Sequence, residues 1–172
     1  MNKRIINQTE FTGLVAKICR DIVISKWQPD YVAGIIRGGA IPAVMISHYL
    51  NIPCKSLSVS LRDGGECIHD GRMAEDAYAS PHVNSRAKNI LIVDDINDSG
   101  ATLDWLMTSW ERTTPRDDPT WNDIWNNNVR FAVVVDNLSS KCKVKMDYSG
   151  LEINKEENNI WIDFPYENWW VK

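Results

Sequence analysis

The chain has 172 residues, 44% of them apolar and 24% charged, with a net charge of −4. That is the length of one domain, long enough to bury roughly two thirds of its extended-chain surface. No apolar run nears the roughly 18 residues of a membrane span and the N-terminus lacks a signal-peptide core, so a cytoplasmic protein is expected. The acidic balance gives no bulk attraction to nucleic acid. Cys19, Cys54, Cys67 and Cys142 are scattered without a C-x-x-C pair or a histidine at metal spacing, which reads as reduced thiols and disfavours zinc.

In chain order, Thr9 to Lys26 reads as an amphipathic helix with Phe11, Leu14, Val15, Ile18, Ile22 and Val23 on one face and Thr9 or Thr12 as its cap. Tyr31 to Ile36 is a buried strand followed by Arg37-Gly38-Gly39. Ala40 to Leu50 is a helix with Pro42 in its first turn, and Lys55 to Leu61 is a second strand. Strand, helix, strand at this spacing makes a right-handed βαβ unit. Residues 62–88 break the periodicity and read as a long mobile loop, with His69 and His82 inside it. Ile90 to Val93 is a strand buried on both faces, with Asp94 and Asp95 where it emerges, and Leu103 to Arg112 is a helix. Residues 113–128 read as an insertion with one helical turn. Strands follow at Val129–Val135 and Val144–Tyr148, then a polar turn from Glu152 to Asn159. Ile160 to Glu167 closes the pattern. Eight tryptophans, concentrated in the C-terminal half, suggest that large aromatic contacts hold loops and a hood there. The fold class is α/β, a central parallel sheet flanked by helices.

The stretch from Ile90 to Thr102 carries the chemistry. After the strand and its two acids come Asn97, Asp98, Ser99, Gly100, Ala101 and Thr102, small polar residues that let backbone N–H groups curl round an anion at a helix N-terminus. Carboxylates beside a phosphate cradle call for something cationic or rich in hydroxyls between them, as in a phosphorylated sugar with a bound metal. The plainer alternative is that Asp98 or Ser99 caps the next helix. Arg37-Gly38-Gly39 alone is a tight turn. In a parallel sheet, however, it emerges at the same edge as Asp94 and Asp95, where open α/β sheets bind ligands, and Arg37 could bond a phosphate group. No G-x-x-x-x-G-K is present, which disfavours a P-loop enzyme.

The Ile90–Thr102 stretch resembles the phosphoribosyl-diphosphate (PRPP) loop of the type I phosphoribosyltransferases. The resemblance implies that Asp94 and Asp95 hold ribose hydroxyls, directly or through Mg²⁺, with Asp95 the better metal contact. It further implies that Asp98, Ser99, Gly100, Ala101 and Thr102 wrap the 5′-phosphate and that Asp98 handles a proton on the base. Arg37, Gly38 and Gly39 resemble the family's diphosphate loop, which often holds a cis bond between non-proline residues, here expected near Ile36–Arg37. Trp161-Ile162-Asp163-Phe164-Pro165-Tyr166-Glu167 resembles the W-[IV]-x-x-P-[WY]-[DE] segment of the xanthine-guanine and hypoxanthine enzymes. There Trp161 would stack on a purine, the Ile162 main chain would read its edge, and Asp163 would reach the metal or a bound water.

The implied organisation is a core at about 30–146, a mobile loop at 62–88 and a hood at 147–172. The implied reaction is transfer of 5-phosphoribose from PRPP to guanine, xanthine or hypoxanthine. Alternatives are a PRPP- or nucleotide-binding regulator of the same fold, or an enzyme for a pyrimidine or unusual base. A homo-oligomer, dimer or tetramer, fits the resemblance. One departure stands out. The 6-oxopurine enzymes place a lysine just after the strand matching Phe131–Val135, whereas Asp136-Asn137 stand here. Either Lys141 reaches back, or the substrate differs from guanine, xanthine and hypoxanthine; Asn137, which both donates and accepts, could still read an oxo or an amino group.

Overall fold

The computed structural model describes residues 2–59, 71–78, 86–113 and 118–170. Its elements in order are β1 (Asn2–Ile5), α1 (Gln8–Ser25), β2 (Tyr31–Ile36), α2 (Ala40–Leu50), β3 (Cys54–Ser58) and α3 (Gly71–Tyr78). They continue with β4 (Ile90–Asn97), α4 (Ala101–Glu111), α5 (Trp121–Ile124), β5 (Val129–Asn137), β6 (Tyr148–Ile153) and β7 (Ile160–Asp163). Strands β3-β2-β4-β5-β6 form one sheet in that order, and every neighbouring pair is parallel. This is the expected α/β architecture.

Alternation along the strands divides the core in two. Val32, Leu91, Val93, Ala132 and Val134 face α1 and α2, meeting Phe11, Val15, Ile18, Ile22, Ala43 and Ile46. Ala33, Ile35, Ile90, Ile92, Val129 and Phe131 face the other way, onto Leu103, Leu106, Met107 and Trp110 of α4. Helix α2 lies so close to β2 that a Cβ at Gly34 would come within 2.6 Å of the Ala43 Cβ.

Several element ends differ from the sequence reading. Helix α1 is capped by Asn7, whose side-chain oxygen accepts the Glu10 N–H at 2.9 Å. Thr12 instead donates back to the Gln8 carbonyl, as a threonine inside a helix does. Val23, expected on the buried face, is exposed. Strand β4 runs on to Asn97 because β5 keeps pairing with it, Asp94 opposite Val133 and Asn97 opposite Asp136, after β2 has stopped at Val93. The acids therefore leave the sheet on one side only.

Within the stretch read as a loop, Gly71–Tyr78 is helical and buries Met73, Ala74 and Ala77. The rest of that reading, 62–70 and 79–85 with Cys67, His69 and His82, lies outside the described residues. The 113–128 segment contains its single helical turn. There Trp121 stacks on Trp125 at 5.0 Å, and Trp125 lies 6.0 Å from Trp110 and 5.9 Å from Phe131, so these tryptophans are core. Val144 and Met146 pack on that core from an irregular segment. The strand expected there begins at Tyr148 and joins the central sheet beside β5.

A small parallel ribbon stands apart from the main sheet: β1 pairs with β7, Asn2 opposite Ile160 through Ile5 opposite Asp163. Nothing in the sequence reading anticipated β1. No helix among the described residues is long and apolar enough to cross a membrane.

Candidate active site

Because the sheet is parallel, the C-terminal ends of β2, β4, β5 and β6 reach one edge. At the end of β2 the Ile36–Arg37 peptide is cis, where an unusual bond was expected. Gly38 and Gly39 then bring the main chain against the acids. A Cβ on Gly38 would fall on the Asp95 carboxyl, and one on Gly39 would fall on the Val93 carbonyl and 2.7 Å from the Asp94 Cα. The Arg37 side chain is exposed and has no ion pair or hydrogen bond among the described residues.

The two acids are held by short local bonds. Asp94 accepts the Asp95 N–H at 2.9 Å, and one oxygen of Asp95 accepts the Ile96 N–H at 2.8 Å. The other oxygen of Asp95 accepts the Tyr166 hydroxyl at 2.8 Å. Burial, and then the neighbouring Asp95 charge, raise the Asp94 carboxyl well above the usual carboxylate range. Burial and the same Asp95 charge push Tyr166 far upward, so it remains a neutral phenol that donates. Its ring is fixed by stacking on Phe164 at 5.5 Å and by an edge contact with Phe11 at 5.7 Å. Sequence reasoning gave Tyr166 no role. Its only signal was the aromatic position in the segment that begins at Trp161.

Beyond the acids the chain turns through Gly100, which has φ +88° and sits against the Cys142 backbone. Gly100 caps α4 with no side-chain bond, and the Ser99 hydroxyl accepts the Ala101 N–H at 3.3 Å. Residues 94–103, with Ala101 exposed and Thr102 half-buried, line a cavity of about 190 Å³ at this helix N-terminus. Asp98 is not a cap: its carboxylate pairs with the Lys155 ammonium at 2.7 Å.

Three further residues of the expected site make contacts within the protein or none. The Lys141 side chain is exposed without a partner among the described residues, while its N–H bonds to the Ser99 carbonyl at 3.2 Å. Asn137 is 5% exposed. Its amide nitrogen donates to the Asp98 carbonyl at 2.8 Å, while its oxygen accepts from Ser139 and from the Lys155 N–H. Asp163 is engaged by two side chains of the protein. Lys3 pairs with one oxygen at 2.6 Å and Asn168 donates to the other at 3.0 Å, and the Lys3 bond holds its carboxyl below the usual range. Lys3 arrives with β1, the strand that went unread.

Trp161 is 50% exposed at the surface of the β1–β7 ribbon, whereas the Ile162 side chain is buried in the core, leaving its main chain for any contact. Among the described residues no group of three or more His, Cys, Asp or Glu could by itself hold a metal. A hard divalent cation here would have Asp94 and Asp95 and would draw its remaining ligands from the substrate, a donor set that suits Mg²⁺.

The parallel sheet thus gathers paired acids, a glycine-lined turn and an open helix N-terminus on one edge, an arrangement suited to a phosphorylated, hydroxyl-bearing ligand. The family follows directly: the phosphoribosyl transferase domain model matches residues 2–169, and the chain belongs to that family as a phosphoribosyltransferase. No curated protein matches it. Among solved structures it is similar to the purine phosphoribosyltransferase of Pyrococcus horikoshii, with 24% identity and TM-score 0.67 over 98% of this chain and 96% of that one. The Helicobacter pylori xanthine-guanine-hypoxanthine phosphoribosyltransferase gives 18% identity and TM-score 0.67 over 97% and 95%. A Neisseria gonorrhoeae protein with bound ppGpp gives 21% and 0.67 over 97% and 90%. At these identities the likeness is one of fold.

Proposed function

We propose that this phosphoribosyltransferase transfers 5-phosphoribose from PRPP to a purine base, most readily guanine, xanthine or hypoxanthine, giving a nucleoside 5′-monophosphate and diphosphate. The observation that carries the reading is the contact between Gly38 and the Asp95 carboxyl. It joins the turn suited to diphosphate to the acids suited to ribose hydroxyls.

In this reading the bond from the anomeric carbon to diphosphate breaks and one to a ring nitrogen forms. Arg37 and the N–H groups of Gly38 and Gly39 meet the leaving charge, Asp94 and Asp95 orient the sugar, and the turn from Ser99 to Thr102 holds the 5′-phosphate. Asp95 would hold Mg²⁺, which would supply charge neutralisation for the leaving diphosphate. Asp98, at the mouth of the loop, takes the proton of the base. Trp161 offers a flat apolar face for the ring, a contact of about 1–3 kcal/mol. The purine structures of similar fold support the choice of base.

The test is incubation with PRPP, Mg²⁺ and each base in turn, following nucleotide and diphosphate. Release of both with purines supports the proposal. Saturable PRPP binding without product would mean a binding protein, and turnover confined to pyrimidines would move the substrate class.

A further inference from the structure

The turn read as a cradle for a 5′-phosphate is not shaped by its own side chains. Gly100, at φ +88°, caps α4 without a side-chain bond, and a glycine there leaves the backbone free to adopt other conformations. The shape is set from behind, by residues 137–143 after β5. The Asn137 amide donates to the Asp98 carbonyl at 2.8 Å, and the Lys141 N–H donates to the Ser99 carbonyl at 3.2 Å. The Cys142 backbone lies against Gly100, where a Cβ would come within 2.4 Å of the Cys142 nitrogen. The Lys143 N–H donates to the Asp104 carboxylate, in the first turn of α4, at 2.9 Å. One segment therefore backs the other along its length. The backing segment is irregular, and Ser140 moors it. The Ser140 hydroxyl donates to the Asn97 side-chain oxygen at 2.9 Å and accepts the Cys142 N–H at 3.2 Å. Asn97, 5% exposed at the end of β4, donates in turn to the Asp136 carboxylate of β5 at 2.8 Å.

We infer that Ser140 and Asn97 are positioning residues for the phosphate-binding turn, acting on the ligand only through the backbone they hold against Ser99 and Gly100. The inference rests on the reading of residues 99–102 as the 5′-phosphate site and names what keeps that site in shape. Backbone N–H groups bind an anion well when they already point at it; groups that must first be ordered bind it more weakly. Loss of the Ser140 hydroxyl would leave the buried Asn97 oxygen and the Cys142 N–H without this partner, a penalty the chain relieves by moving. Room for the movement exists, since a cavity of about 350 Å³ borders Asn97, Ser140 and Cys142. The effect should stay local. The diphosphate turn at Arg37 to Gly39 follows β2, is built against Asp95, and takes no part in this chain of bonds.

The experiment compares the full-length wild type with Ser140→Ala and with Ser140→Thr, which keeps the hydroxyl, each first shown to be folded by circular dichroism. Calorimetry reads the binding of two probes: ribose 5-phosphate, which carries the 5′-phosphate alone, and diphosphate with Mg²⁺, which carries the other end of PRPP. Steady-state kinetics with PRPP and the purine turned over fastest give KM and kcat. Ser140→Ala should raise the Kd for ribose 5-phosphate and the KM for PRPP about tenfold, with the Kd for diphosphate, the KM for the base and kcat each within about twofold. Ser140→Thr should bring ribose 5-phosphate binding back to within about threefold of wild type. A Ser140→Ala protein that binds ribose 5-phosphate as the wild type does would overturn the inference. Equal weakening of both probes would overturn it too, as would a wild type that binds no ribose 5-phosphate. A wild type that turns over no base, yet binds ribose 5-phosphate with an affinity selectively lost in Ser140→Ala, would overturn the enzymatic reading and keep this one.

Discussion

Gly38 stands where any side chain would strike the Asp95 carboxyl, so the turn and the acid approach only because the residue has no Cβ. Gly38→Ala must push Asp95 or the turn aside. We expect the KM for PRPP to rise at least about tenfold while the melting temperature barely moves, since the site lies at the sheet edge and outside the core. Asp98→Asn keeps the size of the side chain and its contact with Lys155 but removes the proposed proton acceptor, so kcat should fall about 10²-fold with the KM for PRPP nearly unchanged. Tyr166→Phe removes only the hydroxyl on Asp95, because ring stacking with Phe164 persists. It should weaken PRPP binding a few-fold, which isothermal titration would read. At this scale the sequence was informative where residue type and order coincide, as from Asp94 to Thr102. It was silent where a partner arrives from far along the chain. Lys155 is separated from Asp98 by two strands, and Lys3 from Asp163 by nearly the whole chain; no local pattern announces either pair.

Among the elements, the strands and long helices were readable because their apolar periods are strong, while their ends were set by neighbours. The sequence placed the end of β4 at Val93, after the last apolar residue. The ladder with β5 carries it to Asn97 and so holds Asp94 and Asp95 in extended backbone. The short α3 escaped notice because its buried face consists of Met73, Ala74 and Ala77, too small to register as a stripe. The 113–128 segment read as an insertion because Pro119 and three asparagines surround its aromatics. Yet Trp121 and Trp125 stack into the core under α4. Trp125→Ala should therefore cost about 3–5 kcal/mol of unfolding free energy in urea titration, as a core cavity does. A cost below about 1 kcal/mol would mean that the segment is an appendage.

For the molecule as a whole, the sheet edge concentrates negative charge that the empty protein must tolerate. Burial and the Asp95 charge raise the folded Asp94 carboxyl above its unfolded value. Between those two values the folded chain keeps a proton that the unfolded chain has released. The contribution of Asp94 to stability is therefore full below the unfolded carboxylate range and lost as pH rises through the folded one. Asp136 and Asp147, also raised by burial, add to the same trend, so the informative quantity is a difference between proteins. Asp94→Asn should melt progressively higher than wild type as pH rises from the acid range toward neutrality, with the gap closing at low pH. A constant offset at every pH would show that Asp94 ionises in the folded protein as it does in the unfolded chain. A stabler but less active variant is the usual signature of a functional charge kept at some expense to the fold.

The β1–β7 ribbon has a consequence for how the protein is made. The strand met first along this sequence can find its full partner only after residue 163 has left the ribosome, when all five strands of the central sheet have already been made. Until then Asn2 to Ile5 has no ladder to join and the indole of Trp161 has no platform. The ribbon is thus the last part to mature, and extra residues fused ahead of Asn2 would disturb it before they disturbed anything else.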